Sequence, residues 1–354
     1  MKKLDLIFTR DFSLFTCIFW RNQLFLKDIK RVWGFTISDQ IINFNGTLIE
    51  AYRIHDEVEK MKNHIINLPT NHLLFSQRRQ QITISAVIKL RSLMSKKTTK
   101  KHADLIKEIF ELWSEMYPGY MLAYFLPGPW ADDFCHVHGD NAKKIIKELF
   151  DLRIKIEGIF EAIDLFIREI IAEKLKALNL DSSLARFLTL SEVEKIFAGQ
   201  PPVDDKKIIA RRKGYAIIGG KIHVNESFPK LLQDTNYTFE FFKKRVKSFK
   251  GQSAYIGETI TGKAYLVFLS HQINDFPTGG VLVTAMTAPN FLPAMKRAAA
   301  IVTDEGGVTC HAAIIARELK KPTLTATKIA TKAIKDGDIV EVNTKNGSVK
   351  IIKS

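Results

Sequence analysis

The chain has 354 residues, 46% of them hydrophobic, and a formal net charge of +15 from 53 Lys and Arg against 38 Asp and Glu. That length exceeds one typical domain and the apolar content can fill real cores, so a disordered chain is excluded and two or three globular domains are expected. The basic residues are scattered among acidic ones on helix faces, apart from short runs such as Lys96-Lys97 and Lys100-Lys101, so no nucleic-acid partner is assigned.

The apolar start LDLIFTRDFSLFTCIFW is broken by Arg10 and Asp11 and never approaches the roughly 20 apolar residues that span a bilayer. It also lacks a small-residue cleavage site, so neither a signal peptide nor a membrane anchor is expected. Cys17, Cys135 and Cys310 form neither a disulfide framework nor paired zinc spacing, which fits a reducing cytoplasm. Seven of the 19 glycines fall in residues 1–200 and twelve in the remaining 154, so tight turns concentrate toward the C-terminus and the N-terminal part is expected to be mainly helical.

The stretch PWADDFCHVHGD brings together Cys135, His136, His138 and Asp140, all metal-capable, but no second ligand pair accompanies them and no metal is assigned. From about Asn141 to Leu178, Leu149, Leu152, Ile156, Ile159, Ile163, Phe166 and Ile170 recur at three- and four-residue steps, the stripe of one long helix with Gly158 as a bend. Such a stripe packs in a bundle core, or, sustained over three heptads, faces a coiled-coil partner. After Asp181-Ser182-Ser183, LTLSEVEKIFAG reads as a short helix with Ser191 as N-cap, Glu194 closing a capping box and Gly199 stopping it.

Pro201-Pro202 enforces a linker, and KIIARRKGYAIIGGKIHV reads as two strand-like runs around Gly219-Gly220. Arg211, Arg212 and Lys213 then fall on a solvated strand edge. Beyond about Lys250 short strands and helices alternate: Ala264–Leu269, Val281–Thr284, a helix near Phe291–Arg297, Ala300–Thr303, a helix after His311, Ile339–Val342, and Val349–Ile352 behind an Asn346-Gly347 turn. The overall expectation is an α+β multidomain chain. Residues 1–200 form a mainly helical substrate- or partner-binding region, 201–249 a linker with a β-hairpin, and 250–354 a compact β and α domain.

Within GGVTCHAAIIAREL, Gly306-Gly307 permits a sharp turn and Thr309 can cap the helix that follows, which puts His311 in a first turn whose backbone N–H groups lack helical partners. Such a helix mouth binds phosphate oxygens. Its positive end disfavours an imidazolium, so the ring stays neutral near pH 7 and keeps a nucleophilic nitrogen. These are the properties of a phosphoryl acceptor. Ala312, Ala313 and Ala316 give the helix a slim profile, and Arg317 is a candidate either to contact phosphate or to pair with a carboxylate.

The segment from about Gly257 to the end resembles the swivelling phosphohistidine domain of the phosphoenolpyruvate-utilising enzymes, among them phosphoenolpyruvate synthase, pyruvate phosphate dikinase and rifampin phosphotransferase. The resemblance rests on Thr303-Asp304, Gly306-Gly307, Thr309-Cys310-His311-Ala312-Ala313, Ala316-Arg317-Glu318 and Pro322 in that order. It implies a swivelling β/β/α domain, phosphorylation of His311, and a loop shaped by Gly306, Gly307 and Thr309. Cys310 stands where the family takes serine or cysteine. Two departures are Ala326, where a glycine is expected, and Asn290 in place of a common aspartate.

In the dikinases that domain lies between an ATP-grasp domain and a barrel that binds pyruvate or phosphoenolpyruvate. Here no barrel is expected after it, and the preceding 250 residues show no G-x-x-x-x-G-K-[ST] loop and do not resemble an ATP-grasp fold. The resemblance therefore implies a phosphotransferase component loaded by a separate ATP-grasp protein that holds ATP and Mg, with a small-molecule acceptor and no cofactor bound by the histidine domain itself. The alternative is a non-catalytic binding or regulatory protein.

Overall fold

The computed structural model describes residues 1–95, 101–200, 205–239, 246–268, 272–287, 291–307 and 311–353, with only the backbone at Asp205 and His311. The chain forms two compact units, Met1–Ile7 with Asp11–Phe239 and Phe8–Arg10 with Glu240–Ser354. Among the described residues no helix is long and apolar enough to cross a membrane.

The region expected to be mainly helical also holds a six-stranded sheet. Its strands are β1 (Lys2–Arg10), β2 (Gln40–Phe44), β3 (Ile49–Ile54), β4 (Tyr215–Ile218), β5 (Lys221–Val224) and β6 (Tyr237–Thr238), in the order β5-β4-β2-β3-β1-β6. Every residue of β2, β3 and β4 is buried, including the polar Gln40, Asn43, Glu50 and Arg53, so the strands show no alternation of apolar and polar faces that periodicity could read as a half-buried strand. The hairpin expected in a linker, β4–β5, pairs with β2 through Ile42↔Ile217 and is an integral edge of this sheet. The run before it, expected as a strand, is the helix Asp205–Lys213.

The stripe expected on one long helix is divided between Asp140–Ile156 and Ile159–Ala177, with Gly158 left-handed at φ 72 between them. Leu149, Leu152, Ile156, Ile159, Ile163 and Ile170 are all buried inside this unit, which leaves no seam for a coiled-coil partner. On the second of these helices, buried Asp164 accepts hydrogen bonds from the Ser13 N–H at 3.0 Å and the Thr16 hydroxyl at 2.5 Å, and pairs with Arg168. The acid thereby fixes the start of the helix Leu14–Phe19. Arg53 of β3 is fully buried over the Phe25 ring, 3.9 Å from guanidinium carbon to centroid, and burial lowers its pKa to about 10.

The capping box lies two residues earlier than the sequence suggests. Thr189 caps the helix Leu190–Phe197, its hydroxyl accepting from the Glu192 N–H at 3.3 Å while Glu192 accepts from the Thr189 N–H at 2.7 Å. The motif T-x-x-E occurs here in overlap with S-x-x-E, and burial decides between them. Glu192 is held inward by Arg211, which donates at 2.7 and 3.2 Å, whereas Glu194 is exposed. Arg211 is therefore a buried structural cation rather than a strand-edge charge, while Arg212 pairs at the surface with Asp181.

The second unit is built on an eight-stranded sheet of β7 (Ser248–Lys250), β8 (Gln252–Tyr255), β9 (Ile260–Leu266), β10 (Val281–Thr284), β11 (Ala300–Thr303), β12 (Thr323–Thr325), β13 (Ile339–Asn343) and β14 (Ser348–Lys353). The order is β7-β14-β13-β9-β10-β11-β12-β8, with β9 to β12 parallel and the remaining neighbours antiparallel. Strands β10 and β11 are buried along their whole length because both faces of the parallel part are covered. Val281, Val283, Ala300 and Val302 pack on one side with Ala330, Ile334 and Val340. Leu282 and Ile301 pack on the other with Phe276, Met295 and the partly buried Ile315 and Leu319. The hairpin at Asn346-Gly347 closes through the pair Asn343↔Ser348, so its loop has four residues rather than two.

Candidate functional site

Strand β11 delivers the chain to the candidate loop. Thr284 and Thr303, register partners at the carboxyl ends of β10 and β11, each turn their hydroxyl onto the carbonyl two residues ahead, Met286 at 3.1 Å and Glu305 at 2.7 Å. These local bonds bend both chains sharply out of the sheet, at the strand end where open parallel sheets place their ligand sites. Gly306 then takes φ +100, a conformation a side chain disfavours, and after Gly307 the chain reaches the helix His311–Leu319. The backbone thus places His311 at the first position of a nine-residue helix, where N–H groups have no helical partner. Thr309 and Cys310, like Asn290, lie outside the described residues, as does the His311 side chain.

Two acids precede the glycines, Asp304 buried and Glu305 partly buried. Asp304 accepts from the Thr327 hydroxyl at 3.1 Å, from the Thr331 N–H at 3.2 Å and from the Thr331 hydroxyl. Burial raises its carboxyl above the ordinary value, and the threonine bonds offset that only in part. Glu305 accepts from the Thr9 N–H at 2.6 Å and from Arg10 at 2.9 Å, within the same unit, and burial raises it too, with Arg10 pulling the other way. Asp304 therefore ties the loop after β12 to the turn before His311. Sequence reasoning recorded Asp304 as part of a motif but had no signal for Thr327 and Thr331, whose role depends on a contact 23 and 27 residues away.

Ala312, Ala313 and Ala316 are buried, at 2, 0 and 0% exposure, the first two clustering with Ala254 of β8. Their small size serves close helix-to-sheet packing, not a slim exposed surface. Arg317 is exposed near the far end of the helix, about 9 Å along the axis from His311 at 1.5 Å per residue. In the other unit, Cys135, His136 and His138 lie on the helix Ala131–His138, and His138 donates from Nε2 to the Ile66 carbonyl at 2.5 Å. Among the described residues no group of three or more His, Cys, Asp or Glu side chains could hold a metal ion.

Comparison with known proteins bears on this loop directly. Residues 276–347, which contain both acids, the glycine pair and His311, match the family described as PEP-utilising enzyme, mobile domain. Residues 276–347 thus resemble the mobile domain of the phosphoenolpyruvate-utilising enzymes. It is 40% identical over 169 residues to a probable phosphoenolpyruvate synthase of Archaeoglobus fulgidus, covering 46% of this chain and 22% of that one. Against the phosphoenolpyruvate synthase of Pyrococcus furiosus it is 50% identical over 99 residues, 28% of this chain and 12% of the relative. The chain thus spans less than a quarter of the length of these relatives. Aconitase X of Thermococcus kodakaraensis superposes on 30% of the chain and 98% of its own at a TM-score of 0.23 and 19% identity, too low to bear on the fold.

Proposed function

We propose that this protein is a phosphotransferase component in which His311 carries a phosphoryl group from a separate ATP-grasp protein, which holds ATP and Mg, to a small-molecule acceptor in a reducing cytoplasm. The observation that carries the reading is the position of His311 at the mouth of a helix, directly after a glycine turn, inside the matched mobile domain. In the loading step a ring nitrogen attacks phosphorus, a P–N bond forms, and the P–O bond to the nucleotide breaks with the electron pair leaving on oxygen. In the second step an acceptor oxygen attacks phosphorus, the P–N bond breaks with its electron pair returning to the ring nitrogen, and loss of the acceptor's proton completes the transfer and leaves the neutral imidazole. The unpaired N–H groups of the helix start stabilise the phosphoryl oxygens in both states. Gly306, Gly307, Thr309 and Cys310 form the loop, and Arg317 takes the looser role of a charge on the same helix.

The test is transfer of label from γ- and, separately, β-labelled ATP in the presence of a candidate ATP-grasp partner. Acid-labile label on the wild type and none on His311→Ala is the expected result, and the labelled position separates dikinase-type from kinase-type loading. No label with a demonstrably active partner overturns the carrier reading in favour of a binding or regulatory protein.

A further inference from the structure

The N-terminal unit holds a cavity of about 830 Å3 between the helix His102–Phe125, the helix Leu190–Phe197 and the segment around Phe19. Its apolar wall is aromatic. Phe19 and Phe110 stack with centroids 4.2 Å apart and planes at 17°, and Phe197 joins them from the facing helix. The volume lies within the range of about 300–1,000 Å3 usual for sites that take small organic molecules.

The charges on the wall run against the composition of the chain. In a molecule of net +15, the lining carries Asp104, Glu111, Glu115 and Glu194 against only Arg31 and Lys107. Arg31 is already committed to Asp28 at 2.8 Å. None of the four carboxylates has an ion pair or hydrogen bond among the described residues. Asp104, Glu111 and Glu115 follow one another at steps of seven and four along a single helix face, and Glu194 stands on the helix opposite. An anion such as a nucleotide is repelled by this wall. A cation is attracted by the carboxylates, and an apolar body attached to it by the aromatic wall.

We propose that this cavity binds an organic cation, its ammonium group among Asp104, Glu111, Glu115 and Glu194 and its apolar body against Phe19, Phe110 and Phe197. The site is independent of whether His311 is phosphorylated, so its test needs no phosphoryl donor. Three probes of one shape and different charge are titrated into the full chain by calorimetry: 4-phenylbutylammonium, 4-phenylbutanol and 4-phenylbutyrate. The ammonium is expected to bind at least about tenfold more tightly than the alcohol, with the carboxylate weakest, and added salt should narrow the gap.

The double variant Glu111→Gln, Glu194→Gln changes two exposed side chains and should bring the ammonium close to the alcohol while leaving the alcohol unchanged. Phe110→Leu keeps the bulk and removes the ring, and should weaken the ammonium and the alcohol alike, because the ring holds the apolar body that both share. Equal affinity for all three probes, no saturation below about 10 mM, or undiminished ammonium binding by the double variant would overturn the proposal.

Discussion

Ala326 sits just past β12 at φ 55, in the left-handed region, at the position where resemblance to the family leads one to expect glycine. A Cβ there costs roughly 1–2 kcal/mol. Replacing it by glycine relieves that strain, but the unfolded chain gains freedom worth about 0.4–1 kcal/mol, and the loss of a half-buried methyl removes a few tenths more. The balance for Ala326→Gly is a gain of about 0.5 kcal/mol, or roughly 2–4 °C in the melting temperature of a unit of this size. Lys328, at φ 65 and exposed, has no burial to lose, so Lys328→Gly should gain slightly more and the pair together about 1 kcal/mol. Ala326→Val should cost more than the glycine gains, because a branched Cβ fits the left-handed region worst. Thermal unfolding of the full chain followed by calorimetry reads all four changes. A lower melting temperature in both glycine variants would show that backbone strain is not what distinguishes this loop, whose Thr327 hydroxyl and Lys328 N–H hold Asp304.

The remaining expectations concern packing and charge. Arg211→Ala leaves the buried Glu192 carboxylate without its main partner and should cost about 3–5 kcal/mol in a urea titration, against about 1–2 kcal/mol for Thr189→Ala, which removes the cap bond and the hydroxyl's own bond to Glu192 at 2.9 Å. Burial pushes the Glu192 carboxyl up, but the bonds from Arg211 and Thr189 outweigh it and hold the group below its ordinary value, so this contribution should fade as the pH falls through the acid range. Gly119→Ala would put a Cβ 2.0 Å from the Thr83 hydroxyl where two helices touch, costing about 1–3 kcal/mol, and Thr83→Ala in the same chain should recover most of it. Asp304 and Glu305 both titrate higher in the folded chain than their ordinary 3.8 and 4.5, so in the window above those values the folded state holds more protons and stability falls as pH rises. Urea midpoints of Asp304→Asn across that window should show a flatter dependence than the wild type, and an equally steep one would exclude Asp304 as a source.

What the sequence makes legible is what short-range chemistry determines. The strands Val281–Thr284 and Ala300–Thr303 are bounded by glycine or alanine turns and buried on both faces, and they fall where the apolar runs place them. The glycine pair before the His311 helix is a local signal as well, although the bonds that hold Asp304 there come from Thr327 and Thr331. The sheet of the N-terminal unit is not determined at short range, because β2, which pairs with β3 next to it in sequence, also pairs with β4, more than 160 residues later. Nothing within a helix-length window of QIINF or IEAYRI separates them from a buried helical turn. The capping box was misplaced for the same reason: T-x-x-E and S-x-x-E are equivalent locally, and only Arg211, brought in from another helix, selects the first.

The alanines after His311 carry this argument one step further. Read locally, three small residues on a helix bearing a reactive histidine suggest clearance for a partner, yet each of them is turned inward. Burying the alanine face leaves that helix anchored along its length against β8 and β12, and the turn before it is fixed by Asp304 through Thr327 and Thr331. To release the described part of this segment, each threonine bond and each buried alanine contact would have to break. Loosening the Asp304 cluster is therefore not expected to help any phosphoryl transfer. Variants that loosen the Asp304 cluster, such as Thr331→Val, should lower the stability of the unit without increasing the rate of transfer; a faster transfer in that variant would overturn this expectation.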